Sequence, residues 1–267
     1  MTLKYVFIGG GNMGRAMAEA LIQRQVCAPA EILVVEPSAE ARDTMGGLGC
    51  QVMDSTGEVI GTAPAVVLAV KPQTAPEAFD QIRPWLQDGQ VVISIMAGIT
   101  MAALTSGLAH AAVVRVMPNT PAQVGLGMNV YFPAPDLPPP ALTQVEALLN
   151  ASGEALRVDS EDAIDAATAV SGSGPAYVFY MAEHWMAQAE ALGFSTDQAR
   201  TLVQQTITGA TELWKHLSTP VSTLRQQVTS KGGTTAAALE HFEQQHISRA
   251  FREGIEKAYL RAKELGK

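Results

Sequence analysis

Between residues 3 and 116, short runs that are apolar at nearly every position alternate with longer stretches of mixed polarity. The runs are KYVFIG, EILVVE, AVVLAV, VVISIM and AVVRVM. A strand apolar on consecutive positions is buried on both faces, as in a parallel sheet covered by helices. Helix-length segments such as Met13 to Gln25 and Thr74 to Leu86 separate these runs. Repeated βαβ units of this kind predict an α/β domain with a doubly wound sheet.

The pattern then changes. YFPAPDLPPPALTQ reads as a proline-rich loop, with Pro138 to Pro140 leading into a helix that begins near Ala141. A short strand, EALRVD, follows and is placed to close the sheet edge. From Asp159 onward the pattern is helical: Glu161 to Leu192, Ser195 to His216, Pro220 to Val228, Thr234 to Gln245 and Ser248 to Leu265. The expected division is therefore residues 1–158 and 159–267, the second part all-α. Its helices are rich in Ala and apolar on more than one face, so they must be buried, and a second subunit is a natural cover.

Composition narrows the partners. A net charge of −8 and the lack of a Lys/Arg run argue against nucleic acid. Residues 89–114 carry no formal charge, but Gly98, Thr100, Thr105, Ser106, Gly107 and His110 interrupt them. They fall short of the ~20 continuous apolar residues a membrane span needs. The apolar run at the N-terminus is too short for a signal segment. Cys27 and Cys50 have neither metal spacing nor the density of a disulfide framework. A cytoplasmic protein without a membrane partner is expected.

Candidate chemistry begins at FIGGGNMGRAM, where Gly9, Gly11 and Gly14 stand in GxGxxG spacing between a strand and a helix. The first glycine permits the turn, the second lets a pyrophosphate approach the backbone, and the third allows close helix packing. Free N–H groups at the helix start then face the phosphates. Glu36 ends the second strand about 20 residues on, where an acid accepts from the adenine ribose. That favours NADH, while Ser38 and Arg42 leave NADPH open by offering contacts to a 2′-phosphate.

Other patterns resolve into ordinary structure. Tyr259 and Lys263 have YxxxK spacing but lie in the last helix, far from the dinucleotide loop. His241 and His246 are five apart and face different ways, and the other histidines are isolated, so no metal site is expected. SGSGP lacks the spacing of a nucleophile elbow. Three loops retain interest because they sit at strand or helix ends: LAVKPQ, RVMPNTPAQVGLG with Asn119 placed to fix a loop near the nicotinamide, and AVSGSGPAYVF. The stretch VTSKGGTTAAALEHFE, residues 228–243, adds a second anion cradle ahead of a helix.

In their order and spacing, GGGNMG, LAVKPQ, MPNTPAQVG, SGSGPAY and LRQQVTSKGGTT resemble the pyrroline-5-carboxylate reductases, over residues 5 to 260. The resemblance implies an N-terminal Rossmann-type domain and an all-α C-terminal dimerisation domain, with homodimers that can assemble into a larger ring. It implies reduction of 1-pyrroline-5-carboxylate to L-proline by NADPH or NADH. Gly9, Gly11, Asn12, Met13, Gly14, Ala69, Val70, Lys71, Pro72, Met96 and Ala97 would hold the cofactor. Thr56 stands where an asparagine often touches the cofactor ribose. Ser230, Gly232, Gly233, Thr234 and Thr235 would hold the substrate, and Glu161 matches an acidic position near the site. Gln227 replaces a frequent asparagine, and Lys231 replaces a usual proline.

A pyrroline carboxylate with a protonated nitrogen is strongly electrophilic at the ring carbon, so catalysis can rest on positioning and electrostatics. The N–H groups of Gly233, Thr234 and Thr235 and the Ser230 hydroxyl suit its carboxylate, and Thr235 suits its ring nitrogen. The rival enzyme reading, a β-hydroxyacid dehydrogenase, would carry a lysine on the long helix opening the second domain. None lies between Glu161 and Leu192. A non-catalytic dinucleotide sensor would have no need of the second anion loop.

Overall fold

The computed structural model describes residues 2–266. Its first strands and helices are β1 (Tyr5–Ile8), α1 (Asn12–Gln23), β2 (Ile32–Val35), α2 (Ala39–Gly47), β3 (Gln51–Met53), β4 (Ala65–Leu68) and α3 (Ala75–Ile82). There follow β5 (Val91–Ser94), α4 (Met101–Leu108), β6 (Val113–Met117), β7 (Gly127–Pro133), α5 (Pro139–Ser152) and β8 (Gly153–Arg157). The remainder is helical: α6 (Glu161–Ala167), α7 (Gly174–Ala191), α8 (Thr196–His216), α9 (Val221–Gln227), α10 (Thr234–Gln244) and α11 (Ile247–Leu265).

The eight strands form one sheet in the order β3-β2-β1-β4-β5-β6-β7-β8. The strands from β3 to β6 pair in parallel, β7 runs antiparallel to β6, and β8 is parallel to β7. The reversal of winding falls between β1 and β4, which opens a crevice at their carboxyl ends. Consecutive residues serve opposite faces. Tyr5, Phe7, Ile32, Val34, Val67 and Ile93 share a core with Met17 and Leu21 of α1 and Leu148 of α5. Val6, Ile8, Leu33, Val35, Val66 and Val92 share another with Phe79 of α3 and Leu104 of α4. The unbroken apolar runs follow from this double coverage.

Two elements differ from the expected pattern. β3 is an edge strand whose Gln51 and Val52 are exposed, so it has no apolar signature. β7 lies where the loops RVMPNTPAQVGLG and YFPAPDLPPPALTQ were expected, and takes residues from both. Its buried positions include Gly127, Asn129 and Pro133, which do not read as strand residues in sequence.

The chain forms two compact units, one reaching from the N-terminus to Pro175 and taking up the stretch from Ala258, the other spanning Ala176–Lys257. The change from strands to helices near residue 158 thus precedes the boundary in space. The reason is α6, which Arg115 on β6 ties to the sheet through Glu161 and Asp165. The second unit buries few side chains, among them Ala189, Ala199 and Val203. Phe179, Tyr180, Met181, Trp185, Trp214 and Phe251 stay exposed. No helix among the described residues is long and apolar enough to cross a membrane.

Candidate active site

The turn after β1 is shaped by close backbone contact. Gly9 has φ +106, and a Cβ there would meet the Ala69 carbonyl oxygen at 2.7 Å. A Cβ on Gly14 would lie 2.6 Å from the Gly9 oxygen. By contrast, a Cβ on Gly11 would meet nothing within 4 Å. The space beside Gly11 is therefore open, although no steric clash inside the chain requires it. Gly11 is also the N-cap of α1, with no side-chain cap and no acid in the first turn. The first N–H groups of α1, those of Asn12, Met13 and Gly14, are thus available to an anion. Donor set, open space and position at the winding reversal together fit a dinucleotide pyrophosphate.

Glu36 sits just past β2 and contacts the same loop. Its Oε2 accepts from the Gly10 N–H at 2.8 Å, and its Oε1 accepts from the Ser38 N–H at 2.9 Å. Arg42 Nη1 donates to the Glu36 and Pro37 carbonyl oxygens, each at 2.8 Å. Ser38 caps α2 by accepting from the Ala41 N–H at 3.5 Å.

The other segments expected to hold cofactor have distinct local roles. Ala69 donates its N–H to the Ile8 oxygen at 2.8 Å, which fixes the end of β4 against the end of β1. Val70 follows it, and Lys71 is exposed at the start of a short 3-10 turn, Pro72–Thr74. Met96 has its side chain in the core beneath β5, so it can offer only backbone, whereas Ala97 is exposed. Thr56 spends its hydroxyl on the Gln81 oxygen at 3.2 Å.

Asn119 leaves β6 and holds two segments together. Its Nδ2 donates to the Ser171 oxygen at 3.0 Å, and its Oδ1 accepts from the Met128 N–H at 2.8 Å. The side chain expected to fix a loop thus clamps the segments of Ser171 and Met128 together. Ser171 lies in a π-helical turn, Thr168–Gly172, between α6 and α7. Such turns are frequent at functional sites. Here it interrupts the helical stretch from Glu161 to Leu192 at the AVSGSGPAYVF segment, where the sequence places a break.

Glu161 opens α6. Its Oε1 accepts from the Met101 N–H at 2.6 Å and from Arg115 Nη1 at 2.8 Å, while Arg115 Nη2 donates to Asp165 Oδ1 at 2.7 Å. Sequence alone did not single out Arg115 and Asp165 as partners of Glu161. The signals were present: an arginine inside the apolar strand VVRVM, and acids four apart in EDAID, which share a helix face.

In the second unit, Ser230, Lys231 and Gly232 form the turn between α9 and α10, with Gly232 at φ +72. The Gly233 N–H donates to the Ser230 oxygen at 3.0 Å, and Gly233 is the uncapped N-cap of α10. The first N–H groups of that helix are those of Thr234 and Thr235, and the helix ladder begins at Ala237, whose N–H donates to Gly233. Gln227 ends α9 and is exposed, as are Ser230 and Lys231.

The sheet order with its glycine loop and terminal acid defines a dinucleotide-binding protein of Rossmann type. Residues 4–98 match the family described as NADP oxidoreductase, coenzyme F420-dependent. Residues 161–265 match the family described as pyrroline-5-carboxylate reductase dimerisation. A pyrroline-5-carboxylate reductase of Pseudomonas aeruginosa is 36% identical over 266 residues, 99% of this chain and 97% of that one. The structure of such an enzyme from Coxiella burnetii superposes with TM-score 0.92 at 34% identity and covers both chains fully. The Plasmodium falciparum enzyme with NADP bound does so with TM-score 0.90 at 30% identity, over 99% of this chain and 98% of that one. This chain belongs to the pyrroline-5-carboxylate reductase family.

Proposed function

We propose that the protein reduces 1-pyrroline-5-carboxylate to L-proline with NAD(P)H, the last step of proline biosynthesis. The observation that carries this reading is the pairing, in one chain, of two uncapped helix starts, at Gly11 and at Gly233. One suits a pyrophosphate and the other a small carboxylate.

A nicotinamide held at the glycine loop would supply a hydride to the ring carbon of a substrate whose nitrogen already carries its proton, so the chain's own part is positioning. Thr234 and Thr235 offer backbone N–H groups to the substrate carboxylate, with the Ser230 hydroxyl beside them. Gly232 and Gly233 keep that turn open, and Gln227 borders it. The Thr235 hydroxyl orients the ring nitrogen, and its high pKa rules it out as a strong acid. Preorganised donors of this kind act without reorganising during the reaction. Glu161 acts as a positioning residue, because its carboxylate holds the Met101 N–H and Arg115.

The exposed apolar side chains of α7 and α8 support a homodimer, and further assembly into a ring of dimers belongs to the same proposal. Both cysteines are free and buried, which supports a reducing, cytoplasmic setting. The purified protein mixed with pyrroline-5-carboxylate and either NADH or NADPH should lower absorbance at the nicotinamide band. No oxidation of either cofactor would exclude the proposal.

A further inference from the structure

We propose that Glu36 makes NADH the preferred cofactor of this protein, in contrast to the NADP seen in the Plasmodium relative. The inference rests on the reading that the glycine loop binds NAD(P)H. It starts from the carboxylate's fixed position: Oε2 is held by the Gly10 N–H at 2.8 Å and Oε1 by the Ser38 N–H at 2.9 Å. Gly10 lies within the pyrophosphate turn itself, so the carboxylate stands where the adenine ribose enters.

A carboxylate oxygen can accept more than one hydrogen bond, so each oxygen of Glu36 keeps capacity for a further donor. The ribose of NADH offers hydroxyl donors. A 2′-phosphate offers almost none near neutral pH and brings about two negative charges against a third. Movement away is restrained, because both oxygens are anchored to backbone. Arg42, the cation hydrogen-bonded to this segment, is committed in part to the main chain. Arg42 Nη1 is directed to the main-chain oxygens of Glu36 and Pro37. Among the described residues it forms no ion pair with the Glu36 carboxylate. Ser38, the other candidate for a phosphate, accepts the Ala41 N–H in capping α2, and its O–H is a single neutral donor that does not offset the charge. At close range in a partly buried setting, like-charge repulsion amounts to a discrimination of about tenfold or more.

Binding separates this proposal from the activity. NADH and NADPH are titrated into the full-length protein without pyrroline-5-carboxylate, followed by nicotinamide fluorescence, for the wild type, Glu36→Gln and Glu36→Ser. The expected result is NADH binding about tenfold or more tighter in the wild type, with the two cofactors brought near parity in both variants. ADP-ribose and its 2′-phosphate, titrated into the wild type by calorimetry, should show the same order and need no variant to fold. Equal or tighter NADPH binding by the wild type overturns the inference, and so does an unchanged ratio in folded variants. Binding of neither dinucleotide overturns it together with the assignment of the loop. Tighter NADH binding without turnover of pyrroline-5-carboxylate supports it and removes only the substrate assignment.

Discussion

Arg115 on β6 donates to Glu161 on α6 at 2.8 Å, across forty-six positions of sequence, with the arginine side chain only 3% exposed. The same guanidinium reaches Asp165 at 2.7 Å, so one buried cation fastens two acids of one helix to the sheet. Removing one partner of a buried pair leaves the other charges uncompensated. Arg115→Ala should therefore destabilise the first unit by roughly 3 kcal/mol, read as a lower denaturant midpoint at fixed protein concentration. An unchanged midpoint would show that the pair does not hold α6 in place.

Asp162 receives hydrogen bonds from Lys263 at 2.7 Å and from the Tyr259 hydroxyl at 2.9 Å, which anchors the end of α11 to the start of α6. The Lys263 hydrogen bond, followed by that from Tyr259, holds the Asp162 carboxyl below its ordinary range. The Asp162 contact in turn raises the Lys263 ammonium. The signs follow from linkage. The depressed Asp162 contributes stability above its unfolded pKa, near 3.9, and loses it as pH falls through the lower folded value. The raised Lys263 contributes fully below about 10.4 and loses its part as pH rises through the higher folded value. Both groups are largely solvated, so the effect is local and small. Amide protection in residues 258–265, relative to the intrinsic exchange rate at each pH, should fall below about pH 4 in the wild type and already be lower at pH 7 in Lys263→Met. Equal exchange in the two proteins at pH 7 would dismiss the anchor.

Burial pushes the Cys27 thiol up to about 11, aided by the Glu31 carboxylate and opposed by Lys4. Cys50 is likewise raised to about 11, by burial first and then by Cys27. At pH 8 only about a thousandth of either thiol is ionised, and the thiolate is the reactive form. Native protein should resist iodoacetamide at pH 8 and react at both positions once unfolded. Fast labelling of the native protein would contradict the burial.

Much of this was legible in sequence because it follows from periodicity. β1, β2, β4, β5 and β6 fall in the apolar runs, and α8, α9, α10 and α11 fall within a residue or two of their expected ends. β3 and β7 were not legible for opposite reasons. β3 is too exposed to carry an apolar pattern, and β7 takes its strand state from pairing with β6 and β8 despite Gly127, Asn129 and Pro133. The site divides in the same way. Gly9 and Gly14 announce a close backbone approach, and Glu36 announces a strand end. Sequence could not say that the Thr56 hydroxyl turns to Gln81, or that Asn119 is spent on Ser171 and Met128, because those partners are set by tertiary packing.

Thr235 is the second residue of α10, and the proposed role of its hydroxyl is to orient the ring nitrogen. Thr235→Ala should lower kcat by roughly tenfold to a hundredfold, the range for a lost positioned donor, with little change in cofactor affinity. Thr235→Ser should recover most of the rate. Unchanged turnover in the alanine variant would remove Thr235 from the mechanism.

The proposed reaction moves hydride from a dinucleotide to the carbon of a cyclic imine. Cofactor deuterated at the transferable C4 position, incubated with the purified protein and pyrroline-5-carboxylate, tests it by mass spectrometry of the product. The expected product is proline carrying one deuterium on the former imine carbon, one molecule for each cofactor oxidised. Oxidation of the cofactor without labelled proline, or no oxidation at all, would contradict it.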